Sequence, residues 1–252
     1  VRESFSASGP GLTGGQPDFI ALAELLGEPS RAAILLELLS GRALPAGELA
    51  RISGIKPQTA SSHLAKLTEG GLLAVESSGR HRYYRLANRE VAQLIEAMNL
   101  IAPPRKINSL KQSQEALSLQ HARTCYDHLA GKLGVALMDR LLELGYLEAT
   151  PERQFEVTET GHRQLSAFGL DMDSLLRGKR RLIRPCLDWS ERRHHMAGAL
   201  GTALTKRLFE LGWIKRYPAG RAVQLTKVGA DGLLREFGLD PAILAAQQSF
   251  ER

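Results

Sequence analysis

The sequence predicts a mainly α-helical protein with small β-hairpin wings. An N-terminal winged helix-turn-helix domain is followed by two tandem helix-hairpin-helix, winged-helix-like repeats. Three observations carry this. Residues 45–86 read in the order helix, turn, helix, hairpin. An internal repeat occupies the second half. The composition is that of a soluble globular chain: 252 residues, 43% hydrophobic and 24% charged. No apolar run reaches the roughly 18 residues a spanning helix needs. The first residues lack the apolar stretch of a secretory leader. Two cysteines cannot build a disulfide framework, so a reducing cytoplasm is the expected compartment. A net charge of +6 admits nucleic acid as a partner and gives no reason to expect a membrane.

Residues 1–17, rich in Gly, Ser and Pro, read as a flexible tail. Helical periodicity starts at Asp18 and breaks at Gly27-Glu28-Pro29. Ser30 is placed to cap a helix over 31–39. Pro45 opens a short helix ending near Ile52, and Pro57 begins a longer one ending near Glu69. The alternating stretches LLAVESS and HRYYRL, joined at Ser78-Gly79, read as a hairpin. A further helix from about Asn88 carries Val91, Leu94, Ile95, Met98 and Ile101, until Pro103-Pro104 stops it. The expected domain is 18–102, with a linker over 103–111.

Residues 128–147 align without gaps to 195–214, with 12 of 20 positions identical, which chance does not produce. Similarity resumes at Phe168-Gly-Leu-Asp171 and Phe237-Gly-Leu-Asp240. Two copies, 112–176 and 177–252, are too few for a solenoid, so a pair packed about a pseudo-two-fold axis is expected. The small residues Gly131, Gly134, Gly198 and Gly201 suit close helix packing better than a phosphate loop, since no strand is expected to lead into them and their spacing is not that of a nucleotide loop.

Residues 51–68 contain Arg51, Lys56 and Lys66 without an acid, and 79–89 contain Arg80, Arg82, Arg85 and Arg89 without one. Such a helix beside such a hairpin suits phosphate contact. Gln58, Thr59, Ser61, Ser62 and His63 lie where a recognition helix reaches base edges. Lys56, Lys66, Arg80, His81 and Arg82 are assigned to the DNA backbone or minor groove. Taken alone, the charges would more often be a solvated face. One of Tyr83 and Tyr84 is expected to pack under the wing.

The stretches LLGEPSRAAILLELL, GELARISGIKPQTASSHLAKLTEGGLL and VESSGRHRYYRL resemble the ArsR/SmtB family of bacterial repressors over roughly 18–102. The resemblance implies a homodimer on double-stranded DNA carrying a palindromic operator, dimerised through the first helix and that at 89–102. The family's thiolate site is absent, because residues 47–51 hold no cysteine. Its Asp/His site is unexpected too, because the last helix of the domain has Glu90 and Glu96 but no histidine.

Any sensor therefore belongs in the duplicated region. Candidate effector-binding residues are Cys125, Tyr126, His128, Cys186, Asp188, Trp189, Arg192, His194 and His195. A cleft between modules with convergent polar groups suits a small molecule, and the arginines suit an anion. A second reading is a metal or thiol-redox sensor. Its candidate ligands are His121, Cys125, His128, Cys186, His194 and His195, with zinc or another transition metal as cofactor. On a helix, His121, Cys125 and His128 would share a face. The gapless repeat aligns Cys125 with Arg192, so the cysteines read as non-equivalent, and buried structural Cys and His is the plain alternative. A third reading is a constitutive DNA-binding protein whose repeats only hold a dimer. Asp127/His128 and Asp188/Glu191/His194 could act as acid–base pairs, and Cys125 as a nucleophile, but no nucleophile motif or cofactor fingerprint accompanies them. The expected activity is regulatory, not enzymatic.

Overall fold

The computed structural model describes residues 16–79, 81–152, 154–218 and 220–240. Most of the expected tail, residues 1–15, lies outside them. The chain divides into two compact units. The first runs to Val91 except for Leu39–Gly41, which groups with the second, Ala92 onward.

In the first unit, α1 (Phe19–Leu26) starts where the Asp18 carboxylate accepts from the Ala21 amide at 2.9 Å. The next helix, α2 (Pro29–Leu38), begins earlier than the sequence suggested. Its cap is Glu28, not Ser30: the carboxylate accepts from the amides of Ser30 (3.1 Å) and Arg31 (2.7 Å), with Pro29 in the first turn. After β1 (Leu44–Pro45) come α3 (Ala46–Ile52) and α4 (Pro57–Glu69), then β2 (Leu73–Ser78) and β3 (His81–Leu86). The sheet is antiparallel in the order β1-β3-β2, with Leu44 and Val75 both opposite Tyr84. Gly79, at φ +58°, turns the wing in a conformation that favours glycine. Ile34, Leu35, Leu49, Leu64, Leu67, Leu73, Tyr84 and Leu86 are buried. Tyr84 is thus the wing tyrosine that packs inward. Asn88 caps α5 (Arg89–Ile101) by accepting from the Val91 amide at 2.9 Å.

The second unit continues with α6 (Leu110–His121), β4 (Arg123–Cys125), β5 (His128–Ala130), α7 (Gly131–Glu143), β6 (Leu147–Ala149), β7 (Phe155–Val157), α8 (Glu159–Ala167) and α9 (Met172–Arg177). Then follow β8 (Arg184–Leu187), β9 (His194–Ala197), α10 (Gly198–Glu210), β10 (Ile214–Arg216), β11 (Val223–Leu225) and α11 (Lys227–Phe237). The order hairpin, helix, hairpin, helix therefore occurs twice. The leading hairpins, β4–β5 and β8–β9, were not expected, because three- and four-residue strands are shorter than any alternation pattern can register.

Leu133, Leu137 and Leu141 of α7 and Leu200, Leu204 and Leu208 of α10 recur every fourth residue and share one core with Met196, Trp213 and Phe237. Contacts across this core come in reciprocal pairs. Arg140 Nε donates to the Phe237 carbonyl (2.6 Å), and Arg207 Nε donates to the Phe168 carbonyl (3.1 Å). A Cβ on Gly134 would lie 3.6 Å from that of His195, and one on Gly201 would lie 3.5 Å from that of His128. The glycines let each long helix close on strands: a Cβ at Gly134 would also sit 2.6 Å from the Leu129 carbonyl, and at Gly201 2.2 Å from that of Met196.

Candidate nucleic-acid interface and a buried Cys–His cluster

Ala60, Leu64 and Leu67 bury one face of α4. The 3.6-residue period then turns Gln58, Thr59, Ser61, Ser62 and Lys66 outward, and all five are exposed. Lys56, at the N-cap, is exposed as well. His81 and Arg82 are exposed on the wing. Arg80 lies outside the described residues. A groove of about 600 Å³ lies between helix and wing, and Ser61, Ala65, Glu69, His81 and Arg82 are among its walls.

Two basic or polar side chains expected on this face are committed elsewhere. His63 is half-buried, with Nε2 3.5 Å from Glu28 Oε2 and Nδ1 3.5 Å from Arg31 Nη1. It joins α4 to the start of α2, and its ring is not presented to a groove. Arg85 pairs with Glu76 on the neighbouring strand and donates to the carbonyls of Leu86 and Ala87 (both 3.1 Å). The run without acids in sequence is compensated from across the sheet.

In the second unit, Cys125 faces His128 across β4–β5, and Cys186 faces His195 across β8–β9. The cysteines are equivalent after all. The loop of the second hairpin is longer, which moves Cys186 out of the gapless alignment while the strand pairing stays the same. The helical face proposed for His121, Cys125 and His128 is also corrected: His121 ends α6, and the other two lie on opposite strands. The ligand atoms of Cys125, His128, Cys186 and His195 lie within 4.8 Å of one another. Sγ of Cys125 is 3.9 Å from Sγ of Cys186, and the two Nε2 atoms are 3.2 Å apart. Cys125, His128 and His195 are buried, and Cys186 is half-buried. His121 and His194 stand outside this group, and His194 is exposed.

The carboxylates beside the histidines are held ionised. His128 Nδ1 lies 3.0 Å from Asp127 Oδ1, and Arg180 lies 2.8 Å from the other oxygen. Burial opposes ionisation of Asp127, but His128 and Arg180 outweigh it and bring its pKa to about 2. Asp188 is fully buried, 2.8 Å from Arg123 Nη2. Burial again opposes its charge, yet His195 and Arg123 hold its carboxyl well below the usual range. His195 Nδ1 is 3.1 Å from Asp188 Oδ2, close but out of line for a hydrogen bond. For the thiols, the contact between them favours ionisation of Cys186 over Cys125. Burial raises both, and the histidines lower Cys186 alone.

Asp188 also accepts from the Gly131 amide (2.7 Å), the Ser190 amide (3.0 Å) and hydroxyl (2.7 Å), and the Glu191 amide (3.2 Å). Arg123 stacks over Trp189, 4.3 Å from the ring centroid. Asp188 and Trp189, expected as effector contacts, are therefore engaged within the fold. Tyr126 and Arg192 occupy the two hairpin tips with positive φ (61° and 55°), and Arg192 is exposed. Sequence reasoning missed Arg123, and it read Arg180 only as part of the basic run 177–184, a candidate for flanking DNA phosphates or a solvated face. Arginine is rarely buried, and nothing local marks Arg123 among the basic residues.

A family model described as a helix-turn-helix domain matches residues 26–76. The uncharacterized HTH-type transcriptional regulator YdfF of Bacillus subtilis (strain 168) is 50% identical over 213 residues, 84% of this chain and 94% of that protein. The HTH-type transcriptional regulator YgaV of Escherichia coli (strain K12) is 30% identical over 84 residues, 33% of this chain and 85% of that protein. Among solved structures, the transcriptional repressor BigR from Xylella fastidiosa is 28% identical, covering 34% of this chain and 87% of its own, with a TM-score of 0.31. No helix among the described residues is long and apolar enough to cross a membrane.

Proposed function

This chain belongs to the HTH-type transcriptional regulators, and from that premise we propose a non-enzymatic homodimeric repressor of a palindromic operator, built on an ArsR-like winged helix-turn-helix domain. The observation that carries the proposal is the outward face of α4 beside the wing. An α-helix about 10–12 Å across fits the major groove, about 12 Å wide. Gln58, Thr59, Ser61 and Ser62 supply amide and hydroxyl groups for base edges. Lys56, Lys66 and Arg82, with Arg80, supply cations for phosphates and the minor groove, and His81 supplies a hydrogen-bonding imidazole. Homodimerisation is supported by apolar surface on α1 and α5: Phe19, Ile20, Met98 and Ile101 are exposed large hydrophobics. Control comes from an effector bound in the duplicated C-terminal module, whose two winged-helix-like halves pack reciprocally. Such an effector would favour a dimer geometry in which the recognition helices no longer match half-sites about 34–36 Å apart.

Binding of the full chain to the DNA upstream of its own gene, titrated against a scrambled duplex, tests this. Gln58→Ala should erode preference for the operator while leaving binding to scrambled DNA unchanged. Arg82→Ala should weaken both duplexes alike and lower the salt slope by about one. Equal affinity of the native protein for both duplexes would sink the operator reading. Unchanged discrimination in Gln58→Ala would remove that residue from base readout.

A further inference from the structure

We propose that Cys125, His128, Cys186 and His195 are the four ligands of one tetrahedral site for a zinc-class divalent metal ion, clasped between the hairpins β4–β5 and β8–β9. The inference stands on the second unit alone and does not rest on the regulatory reading above.

The spacing of the donor atoms is the first argument. With Zn–S near 2.3 Å and Zn–N near 2.0–2.1 Å, a tetrahedron has an S–S edge of about 3.8 Å and an N–N edge of about 3.3 Å. The corresponding separations here are 3.9 and 3.2 Å. A disulfide needs its sulfurs about 2.05 Å apart, and it would leave the paired imidazoles without a purpose.

The second argument is tautomeric. Each Nδ1 faces a carboxylate, His128 that of Asp127 at 3.0 Å and His195 that of Asp188 at 3.1 Å. Asp127, in hydrogen-bond reach, keeps the proton of His128 on Nδ1, and the negative charge of Asp188 favours the same tautomer in His195, so that both Nε2 lone pairs turn the other way. The two Nε2 atoms then point lone pairs at each other inside the protein, beside two thiols. A cation removes that opposition, either a metal ion or a proton on one Nε2. Carboxylate behind imidazole behind metal is the usual arrangement that orients ligating histidines. Here it occurs on both sides.

Charge is the third. Two thiolates and two neutral imidazoles neutralise a divalent ion. The outer carboxylates are matched in turn, the half-buried Asp127 by Arg180 and the buried Asp188 by Arg123, so each charge has a partner. Four protein ligands leave no open position, which fits a structural or sensing metal and not a catalytic one. Sulfur and imidazole together select a borderline-soft ion over magnesium or calcium.

Cobalt(II) is the direct probe. The full chain, stripped with chelator and held reduced, is titrated with cobalt(II), then zinc(II). We expect intense tetrahedral d–d bands and thiolate-to-cobalt charge transfer, saturating at one ion per chain and erased by one zinc. The chain has only two cysteines, so thiol chemistry reads the site alone. Bound zinc should slow alkylation of both thiols at least tenfold. Cys186→Ser should weaken the charge-transfer band and lower zinc affinity at least tenfold, whereas His121→Ala and His194→Ala should retain full stoichiometry. Asp127→Asn should lower affinity about 10–100-fold. The wild-type spectrum and the alkylation rates need no variant to fold. A pale octahedral cobalt spectrum, alkylation unaffected by zinc, or equal loss in His194→Ala and Cys186→Ser would overturn the proposal.

Discussion

Replacing Arg123 by methionine removes a cation that is 1% exposed and leaves the fully buried Asp188 without its guanidinium. Breaking a buried pair by deleting one partner costs about 3–5 kcal/mol. Asp188 would keep three amide donors and the Ser190 hydroxyl, with His195 Nδ1 nearby at 3.1 Å, which places the cost near the lower bound. The carbonyl of Leu119 and the Ser190 hydroxyl also lose a donor each, Arg123 Nη1 at 3.1 Å from both, and the stacking on Trp189 disappears. Methionine refills much of the aliphatic stem. The sum is a destabilisation of about 3 kcal/mol, or a fall in Tm of roughly 6–12 °C for a unit of this size. Both tryptophans, Trp189 and Trp213, lie in the second unit, so intrinsic fluorescence during urea unfolding reports on it directly. The measurement is made with chelator present, which keeps metal binding out of the comparison. Asp188→Asn in the same background completes a double-mutant cycle, and the double variant should be less destabilised than the sum of the singles by at least about 1 kcal/mol. A loss below 1 kcal/mol in Arg123→Met, or strict additivity in the cycle, would refute the assignment of Arg123 and Asp188 as a coupled buried pair.

Gly201→Ala should destabilise the second unit by about 1–3 kcal/mol, because its methyl would sit 2.2 Å from the Met196 carbonyl oxygen and force α10 off β9; thermal unfolding followed by tryptophan fluorescence checks it. Gly134→Ala should behave the same way, since its Cβ would lie 2.6 Å from the Leu129 oxygen. For Glu28, burial acts to raise the pKa, but the amides of Arg31 and Ser30 lower it in net. A depressed carboxyl pKa contributes stability that is present above the unfolded value and is lost as pH falls through the folded one. Acidification should therefore loosen the start of α2, read as lower protection of the Ser30 and Arg31 amides relative to their intrinsic exchange rates at each pH, and Glu28→Gln should remove that pH dependence.

Much of the architecture was legible in the chain because it is locally encoded. Pro57 at a helix start, Ala60, Leu64 and Leu67 on one stripe, and glycine at the wing turn each act within a few residues. They are enough to order α3, α4 and the wing, and to say which side of α4 faces out. The exposure of Gln58, Thr59, Ser61, Ser62 and Lys66 follows from the same 3.6-residue period. His63 shows the limit of that reasoning. It sits in the same helix, but Glu28 and Arg31 hold it, and they are separated from it by about 30 residues of chain.

By itself, then, the sequence determined the winged helix-turn-helix, its basic and hydroxyl-bearing face, and the duplication of the second half. Tertiary structure alone decided the chemistry of that half. Short strands paired His128 with Cys125 and His195 with Cys186 across loops of unequal length, a relation no gapless alignment can register. Packing then brought the two hairpins together, buried Arg123 against Asp188, and left four donor atoms facing one another. Periodicity records which side of an element is apolar. Which elements meet, and in what register, is set by the free energy of packing the whole unit.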